Sequence, residues 1–243
     1  MDEIAKTHIF LVGSKGIPAQ YGGFETFVEK LTAGKKLENI QYHVSCMDNN
    51  EISFFHNGAE CFNVKLPCKG ALGRIFHVSR ALRLTELWKK KNKNAKTIVY
   101  ILGCRIGPLL IWHYWILHKM GVKVYVNPDG LEWKRDKWNW AEKKFLKYCE
   151  KCLVLKSDLA ICDSKHIEKY ILETYPSMKG KTTYIAYGAD IKKSVSTEKE
   201  LQAWFRKNQI SNQNYYLIVG RFVPENNYEI IISEFMKSKT QKP

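Results

Sequence analysis

Residues 13–23 have a composition that suits the binding of an anion. The stretch contains one cation and four glycines, namely Lys15, Gly13, Gly16, Gly22 and Gly23. Glycine lets the backbone turn and leaves amide N–H groups exposed, and the start of a helix attracts negative charge. The sequence therefore predicts a loop that can hold an anionic group.

Apolar residues on both sides of this loop predict a strand before it and a helix after it. Residues 9–12 are an apolar run, and Phe24, Phe27, Val28 and Leu31 recur with helical spacing. The loop lacks the glycine spacing of a dinucleotide fingerprint and the Gly-Lys-Ser/Thr of a P-loop. An ordinary strand-to-helix turn, with glycine present for tight packing, is the alternative that the glycines leave open.

A second group of charged residues follows the apolar run at 122–126. It consists of Asp129, Glu132 and Arg135. Carboxylates can orient or deprotonate a hydroxyl group, and a guanidinium can hold a phosphate through two hydrogen bonds. On the residues alone, Asp129-Gly130 is better explained as a plain turn after a strand.

Short apolar runs alternate with helical patterns along the chain. Strands are predicted at 9–12, 42–46, 60–66, 97–102, 122–126, 159–162, 184–190 and 215–219, and helices at 24–31, 75–87, 109–119, 133–155, 164–174, 198–207 and 228–236. This alternation predicts an α/β fold with a doubly wound parallel sheet. Because ligands bind beyond the carboxyl ends of strands in such sheets, the glycine-rich loop and the Asp129 segment are expected to share one crevice.

Two patterns predict which helix positions are buried. A stripe in the fourth helical segment is expected in the core: Trp138, Ala141, Phe145, Cys149 and Leu153. The basic run 89–93 is expected to be a solvated helix end, with attraction to anionic lipid headgroups as the alternative. The lysines and tryptophans of 133–155 leave open a similar alternative, contact with a membrane interface.

Three blocks resemble one enzyme family, the bacterial family 4 glycosyltransferases of the β-1,4-rhamnosyltransferase type, whose N-terminal domain is a domain of unknown function. The blocks occur in the order expected for that family, at residues 13–29, 127–135 and 220–227. The resemblance implies a Rossmann-like sheet of the glycosyltransferase B (GT-B) type. It also implies an acceptor-side domain at 1–190, a linker at 191–214 and the start of a donor-binding domain at 215–243.

The resemblance implies transfer of L-rhamnose from dTDP-rhamnose to a sugar on a polyprenyl diphosphate, in capsule or cell-wall polysaccharide synthesis. The reaction would retain the anomeric configuration and need neither a metal nor a cofactor. Asp129 and Glu132 would assist the acceptor hydroxyl. Substrate contacts are expected from Lys15, Gly22, Gly23, Glu25, Arg135, Arg221 and Asn226. Many family members have a lysine where this chain has Asn226, which weakens one expected donor contact.

Only one strand-helix unit of the second domain is present before Pro243. Such a unit cannot bury its own apolar face. We therefore expect a C-terminally truncated enzyme with little or no activity of its own. The alternative is a non-catalytic fragment that binds the acceptor or another anion.

The net charge of +15 and the pI near 9.4 indicate an anionic partner. A nucleotide-sugar donor, a lipid-linked acceptor and the anionic inner membrane surface all fit. No helix-turn-helix, zinc or RNA-binding signature supports nucleic acid. Seven scattered cysteines without a signal peptide predict a reduced, cytoplasmic location. Arg105 and Gly107-Pro108 interrupt the most apolar region, 98–120, so an integral membrane protein is not expected and peripheral attachment stays open. Cys149 and Cys152 are expected to be buried thiols, not zinc ligands.

Overall fold

The computed structural model describes residues 6–50, 52–68, 70–191, 195–211 and 215–238. The chain divides into two compact units. The first, here called the sheet unit, consists of Met1–Lys134 with Trp138–Tyr187, and the second, the C-terminal unit, consists of Arg135–Lys137 with Gly188–Pro243.

The sheet unit is built on one eight-stranded sheet. Its strands are β1 (Thr7–Val12), β2 (Ile40–Met47), β3 (Ser53–His56), β4 (Ala59–Val64), β5 (Lys96–Leu102), β6 (Lys123–Asn127), β7 (Leu159–Cys162) and β8 (Thr182–Tyr184). They lie in the order β3-β4-β2-β1-β5-β6-β7-β8, and each pairing is parallel except that of β3 with β4. The predicted fold class, an α/β doubly wound sheet, is confirmed.

Five helices cover the two faces of this sheet. They are α1 (Gly23–Ala33), α2 (Gly70–Lys91), α3 (Leu109–Lys119), α4 (Trp140–Lys156) and α5 (Lys165–Thr174). The first packs on one face, against a core that includes Leu11, Val44 and Leu102. The other four pack on the opposite face, around Val12, Ile101 and many further apolar residues. Burial on both faces explains why the central strands are continuous apolar runs.

Several predicted elements agree with the structure to the residue. The helix at 109–119, the strand at 159–162 and the helix at 198–207 have the predicted bounds, the last as α6 (Glu198–Lys207). Ser164 caps α5, since its hydroxyl accepts a hydrogen bond from the backbone N–H of Ile167 at 3.2 Å. These elements have strong local signals at their ends.

Other predictions were wrong, and each for an identifiable reason. Edge strand β3 was missed because it is short. Only four of its residues pair with β4, across the hairpin turn at Asn57-Gly58. The last strand of the sheet is Thr182–Tyr184, whereas the sequence pattern placed that strand and its turn at 184–190. In α4, Cys149 and Leu153 are buried, but Ala141 and Phe145 of the predicted core stripe are exposed.

Lys89 is buried, although the basic run around it was predicted to be solvated. Its ammonium group donates hydrogen bonds to the carbonyl oxygens of Lys93 and Ala95, at 2.7 and 2.6 Å. The cation therefore satisfies carbonyl groups beyond the C-terminal end of α2, where a positive charge is also favoured by the helix dipole.

The C-terminal unit contains α6 and α7 (Tyr228–Lys237). The strand predicted at 215–219 is not formed, and none of the described residues of this unit belongs to a strand. An apolar segment pairs as a strand only where a neighbouring strand offers N–H and C=O partners. Helix α7 lies where the pattern at 228–236 predicted it.

Within the described residues, no helix has the length and apolar character needed to cross a bilayer.

Candidate functional site

The strand order reverses at β1 and β5, and a narrow cavity opens beyond their carboxyl ends. Strand β1 pairs with β2 on one side and with β5 on the other. The cavity has a volume of about 40 Å³. It is lined by Gly13, Phe24, Arg74, Val78, Leu102, Gly103, Cys104, Arg105, Pro128, Asp129, Gly130, Glu132, Trp133, Leu146 and Glu150. We call this the crevice; its position is the one where ligands bind in doubly wound sheets.

Two of the lining positions require glycine. Gly13 has φ +112°, and a Cβ there would lie 2.4 Å from the carbonyl oxygen of Leu102. Gly103 has φ +83°, and a Cβ there would touch the ring of Phe24 at 3.4 Å. Because these two positions have no side chain, the ends of β1 and β5 can pack closely against each other and against α1.

Asn127 fixes the segment that carries Asp129. Its backbone carbonyl accepts a hydrogen bond from Gly103 N–H at 2.9 Å, and its side-chain oxygen accepts one from Asp129 N–H at 2.8 Å. Its side-chain amide donates to the Tyr187 hydroxyl at 2.9 Å. These contacts hold Asp129 at φ +63°, a left-handed conformation that aspartate tolerates better than most residues.

The two predicted catalytic carboxylates both line the crevice. Burial raises the pKa of Asp129, and the charge of Glu132 raises it further against the opposing effects of a Gly130 hydrogen bond and of Arg105. Glu132 accepts a hydrogen bond from the Trp138 indole at 3.2 Å and pairs with Arg105 at 3.7 Å. An aspartate with a raised pKa is better suited to accept a proton from a hydroxyl group.

Glu150 is a third carboxylate at the crevice, and it is fully engaged. Its oxygens accept hydrogen bonds from the Trp133 indole at 3.1 Å, the Lys147 ammonium at 2.8 Å, the Tyr170 hydroxyl at 2.7 Å and the Tyr175 hydroxyl at 2.8 Å. Burial and the carboxylate together raise the pKa of Tyr175. Glu150 thus joins α4 to α5 and to the segment before α4, and it acts as a structural group rather than as a free base.

Arg74 and Arg105 are crevice residues that the sequence reasoning missed. Burial, and then the nearby charge of Arg105, lower the pKa of Arg74. The Nε atom of Arg74 is buried and has no hydrogen-bond partner within the described part of the chain. Arg105 lies three residues after the end of β5, so its place beyond a strand beside the reversal of strand order was a usable signal.

The glycine-rich loop contributes only Gly13 to the crevice lining, and α1 contributes Phe24. Lys15 and Glu25 instead line a separate hollow of about 320 Å³. There the Glu25 carboxylate accepts a hydrogen bond from the Lys15 backbone N–H at 2.7 Å, so this carboxylate shapes the loop. Gly22 is the N-cap of α1 and Gly23 its first residue, with no side chain capping the helix.

The remaining predicted site residues belong to the C-terminal unit. Arg135, Arg221 and Asn226 all fall within it. The Asn226 amide donates a hydrogen bond to the Arg221 backbone carbonyl at 2.7 Å. Their contact with a substrate stays a prediction, as do the binding roles of Lys15, Gly22, Gly23 and Glu25.

A parallel sheet with helices on both faces and a crevice at its strand reversal defines a Rossmann-like fold, as found in the domains of the GT-B type. A solved structure of Phytolacca americana UGT2, complexed with UDP-2-fluoro-glucose and pterostilbene, shares this fold with a TM-score of 0.50 at 8% identity, over 97% of this chain and 65% of that one. Medicago truncatula UGT71G1, complexed with UDP-glucose, has a TM-score of 0.45 at 10% identity, over 96% and 64%. The chain thus spans less than two thirds of either protein.

The family model described as Domain of unknown function (DUF1972) matches residues 6–190, and the chain belongs to this family. No curated protein is detectably similar in sequence.

Proposed function

We propose that this chain is the acceptor-side part of a retaining glycosyltransferase that moves L-rhamnose from dTDP-rhamnose to a polyprenyl-diphosphate-linked sugar. The observation that supports this most directly is the crevice, where Asp129, Glu132, Arg74 and Arg105 meet at the strand reversal. Two carboxylates and two guanidiniums match an acceptor that carries both hydroxyl groups and a diphosphate.

The chemistry assigns different roles to these groups. A nucleotide-diphosphate leaving group gains negative charge in the transition state, and guanidinium and amide N–H groups placed around it lower the barrier. Asp129, with its raised pKa, takes the proton of the acceptor hydroxyl. Glu132, fixed by Trp138 and Arg105, orients that hydroxyl. No protein nucleophile and no metal ion are needed in this scheme.

The identity of the sugar donor has less support from the structure than the acceptor side has. Phytolacca americana UGT2 was solved in complex with UDP-2-fluoro-glucose, which supports nucleotide-sugar binding by this fold. The rhamnose donor rests on the three sequence blocks, and Arg221 and Asn226 are the residues proposed to contact it. An acceptor anchored by a polyprenyl chain places the reaction at the cytoplasmic face of the membrane, with the protein bound peripherally.

The experiment is a transfer assay with radiolabelled dTDP-rhamnose and with glucosyl or N-acetylglucosaminyl polyprenyl diphosphate. It uses this chain and, if the reading frame continues past Pro243, the longer product. We expect little transfer by the 243-residue chain and clear transfer by the longer one. Asp129→Asn and Glu132→Gln should each lower transfer by about 100-fold or more. The matched control is Glu142→Gln, which changes an exposed helix-capping carboxylate. Equal transfer by all three variants would contradict the assigned roles.

The second candidate is a fragment that binds the acceptor without catalysis. It is favoured by the division of the predicted contacts between two units. Acceptor binding by this chain, measured by calorimetry and lost in Asp129→Asn, together with no transfer by any longer product, would favour this candidate.

A further inference from the structure

The outer surface of three neighbouring helices in the sheet unit exposes an unusual number of large apolar side chains. Helix α3 packs between α2 and α4, and all three cover the same face of the sheet. The exposed apolar residues on them are Leu72, Phe76, Leu87, Leu109, Trp112, Trp115, Trp140, Phe145, Tyr148 and Leu155. We call this set, together with the lysines and arginines of the same three helices, the α2–α4 surface.

Tryptophan is the most informative residue type in this set. Trp112, Trp140 and Trp115 are 73%, 71% and 55% exposed. On α3, Leu109, Trp112 and Trp115 recur every three residues, so they form one stripe along the helix. Large apolar side chains that form a continuous exposed patch usually mark a binding surface, whereas single ones carry no such meaning.

The charges on the same helices are almost all positive. Together the three helices contain twelve lysine and arginine residues but only three glutamates, Glu86, Glu142 and Glu150. Glu86 is buried and pairs with Arg83 and His113, and Glu150 is buried in the network at the crevice. Only Glu142 is exposed, where its carboxylate caps the start of α4. The surface therefore attracts anions with little opposing charge.

Cations and indole rings are interleaved on this surface. The Lys144 ammonium lies 3.9 Å from the centre of the Trp140 ring, and that of Lys156 lies 5.8 Å from the Trp115 ring. The second contact joins α4 to α3, so the exposed stripes of the two helices meet. Indole rings favour the boundary between headgroups and acyl chains, and lysine favours anionic headgroups just above it.

We propose that the α2–α4 surface binds directly to an anionic phospholipid bilayer, with its tryptophans at the headgroup boundary and its lysines on the phosphates. The biological sense of this contact rests on the proposed lipid-linked acceptor, but the contact itself requires neither sugar substrate. The exposed leucines favour a bilayer over nucleic acid, because aliphatic side chains gain nothing from a phosphate backbone.

The test measures binding of the full 243-residue chain to vesicles of phosphatidylcholine, with and without phosphatidylglycerol. We expect binding to the anionic vesicles, weak binding to the neutral ones, and release at high salt. Trp112→Ser with Trp115→Ser, and separately Lys144→Glu with Lys151→Glu, should each weaken binding about tenfold or more. Brominated lipid should quench the fluorescence of the wild-type protein, and should quench that of the double tryptophan variant less, because only Trp140 of the exposed tryptophans on this surface remains.

Matched changes elsewhere serve as controls. Trp204→Ser replaces an exposed tryptophan of α6, and Lys36→Glu with Lys179→Glu reverses two exposed lysines outside the three helices. These variants should bind vesicles as the wild type does, and thermal unfolding checks that every variant is folded. Wild-type binding by both helix variants would overturn the proposal, as would equal binding to neutral vesicles. An oligonucleotide that binds more tightly than anionic vesicles, and competes with them, would assign the surface to nucleic acid instead. Because no sugar enters these measurements, their failure leaves the transfer assay unaffected.

Discussion

The sheet unit and the C-terminal unit treat similar apolar sequences in opposite ways. In the sheet unit, the run 97–102 forms strand β5 between β1 and β6, and most of its side chains are buried. In the C-terminal unit, the run 215–219 forms no strand, and Leu217 and Val219 are 72% and 84% exposed. Both runs are rich in residues that favour strands. The difference shows that strand formation here depends on neighbours and not on the run itself.

The same contrast applies to polar pairs. Lys147 and Glu150 on α4 are three residues apart and 2.8 Å apart in space, and Glu234 and Lys237 on α7 are related in the same way at 2.9 Å. The first glutamate is 5% exposed and the second 64%. The two ion pairs therefore have similar distances but very different exposure to water. Exposure to water decides how much each pair contributes to the free energy of unfolding.

The largest expected difference concerns a charge placed in each apolar run. Val124→Asp puts a carboxylate into the core of the sheet unit, where Val124 is fully buried. We expect a loss of about 4 kcal/mol or more in the free energy of unfolding, enough to unfold the unit. Val219→Asp, at an exposed position, should change it by less than about 0.5 kcal/mol. Urea unfolding followed by circular dichroism measures both.

If Val219→Asp were as destabilising as Val124→Asp, the contrast between the two units would be wrong. Residues 215–219 would then be buried in the folded protein, against the exposure described above.

The paired glutamates give the next largest expected difference. Glu150→Ala leaves the Lys147 ammonium and the hydroxyls of Tyr170 and Tyr175 without their shared acceptor. We expect a loss of about 3–5 kcal/mol in unfolding free energy. Glu234→Ala removes an exposed pair and should cost about 0.5 kcal/mol or less. Thermal and urea unfolding of both variants test this, and a loss below about 1 kcal/mol for Glu150→Ala would show that its network is not coupled to folding.

Local signals made the sheet unit largely predictable, and long-range contacts limited the rest. Capping residues and apolar runs located α3, α5 and β7 because these features act within a few residues. The partner of a strand lies far away in sequence, so the run 215–219 is predicted as a strand although no described residue pairs with it. Asp129 and Glu132 line the crevice, but the glycine-rich loop, which was predicted to share it, contributes only Gly13, and Lys15 and Glu25 line a separate hollow. Arg74 was not predicted, because its helix follows β4 and reaches the crevice only through packing.

The smallest effect concerns the protonation of buried histidines, which lie in the sheet unit alone. His77 is fully buried on α2, and burial lowers its pKa to about 4. Neither ring nitrogen has a hydrogen-bond partner among the described residues. In the unfolded chain a histidine titrates near pH 6.5, so between about pH 6.5 and 4 the unfolded state binds a proton that the folded state does not. Stability from this group is therefore complete above pH 6.5 and is lost as the pH falls toward 4.

Replacing His77 by leucine should remove the one proton that the unfolded chain binds at this position and the folded protein does not. The slope of unfolding free energy against pH should fall by about 1.4 kcal/mol per pH unit in the middle of the window. His43, whose pKa burial and His8 also lower to about 4, keeps part of the slope. The C-terminal unit contains no histidine, so Val219→Asp should leave the slope unchanged. Urea unfolding at several pH values from 4.5 to 7.5 measures the free energy of unfolding, and hence its slope against pH, for each variant. An undiminished slope in His77→Leu would mean that His77 can be protonated in the folded protein. The surroundings of His77 on α2 would then be more accessible to solvent than its burial indicates.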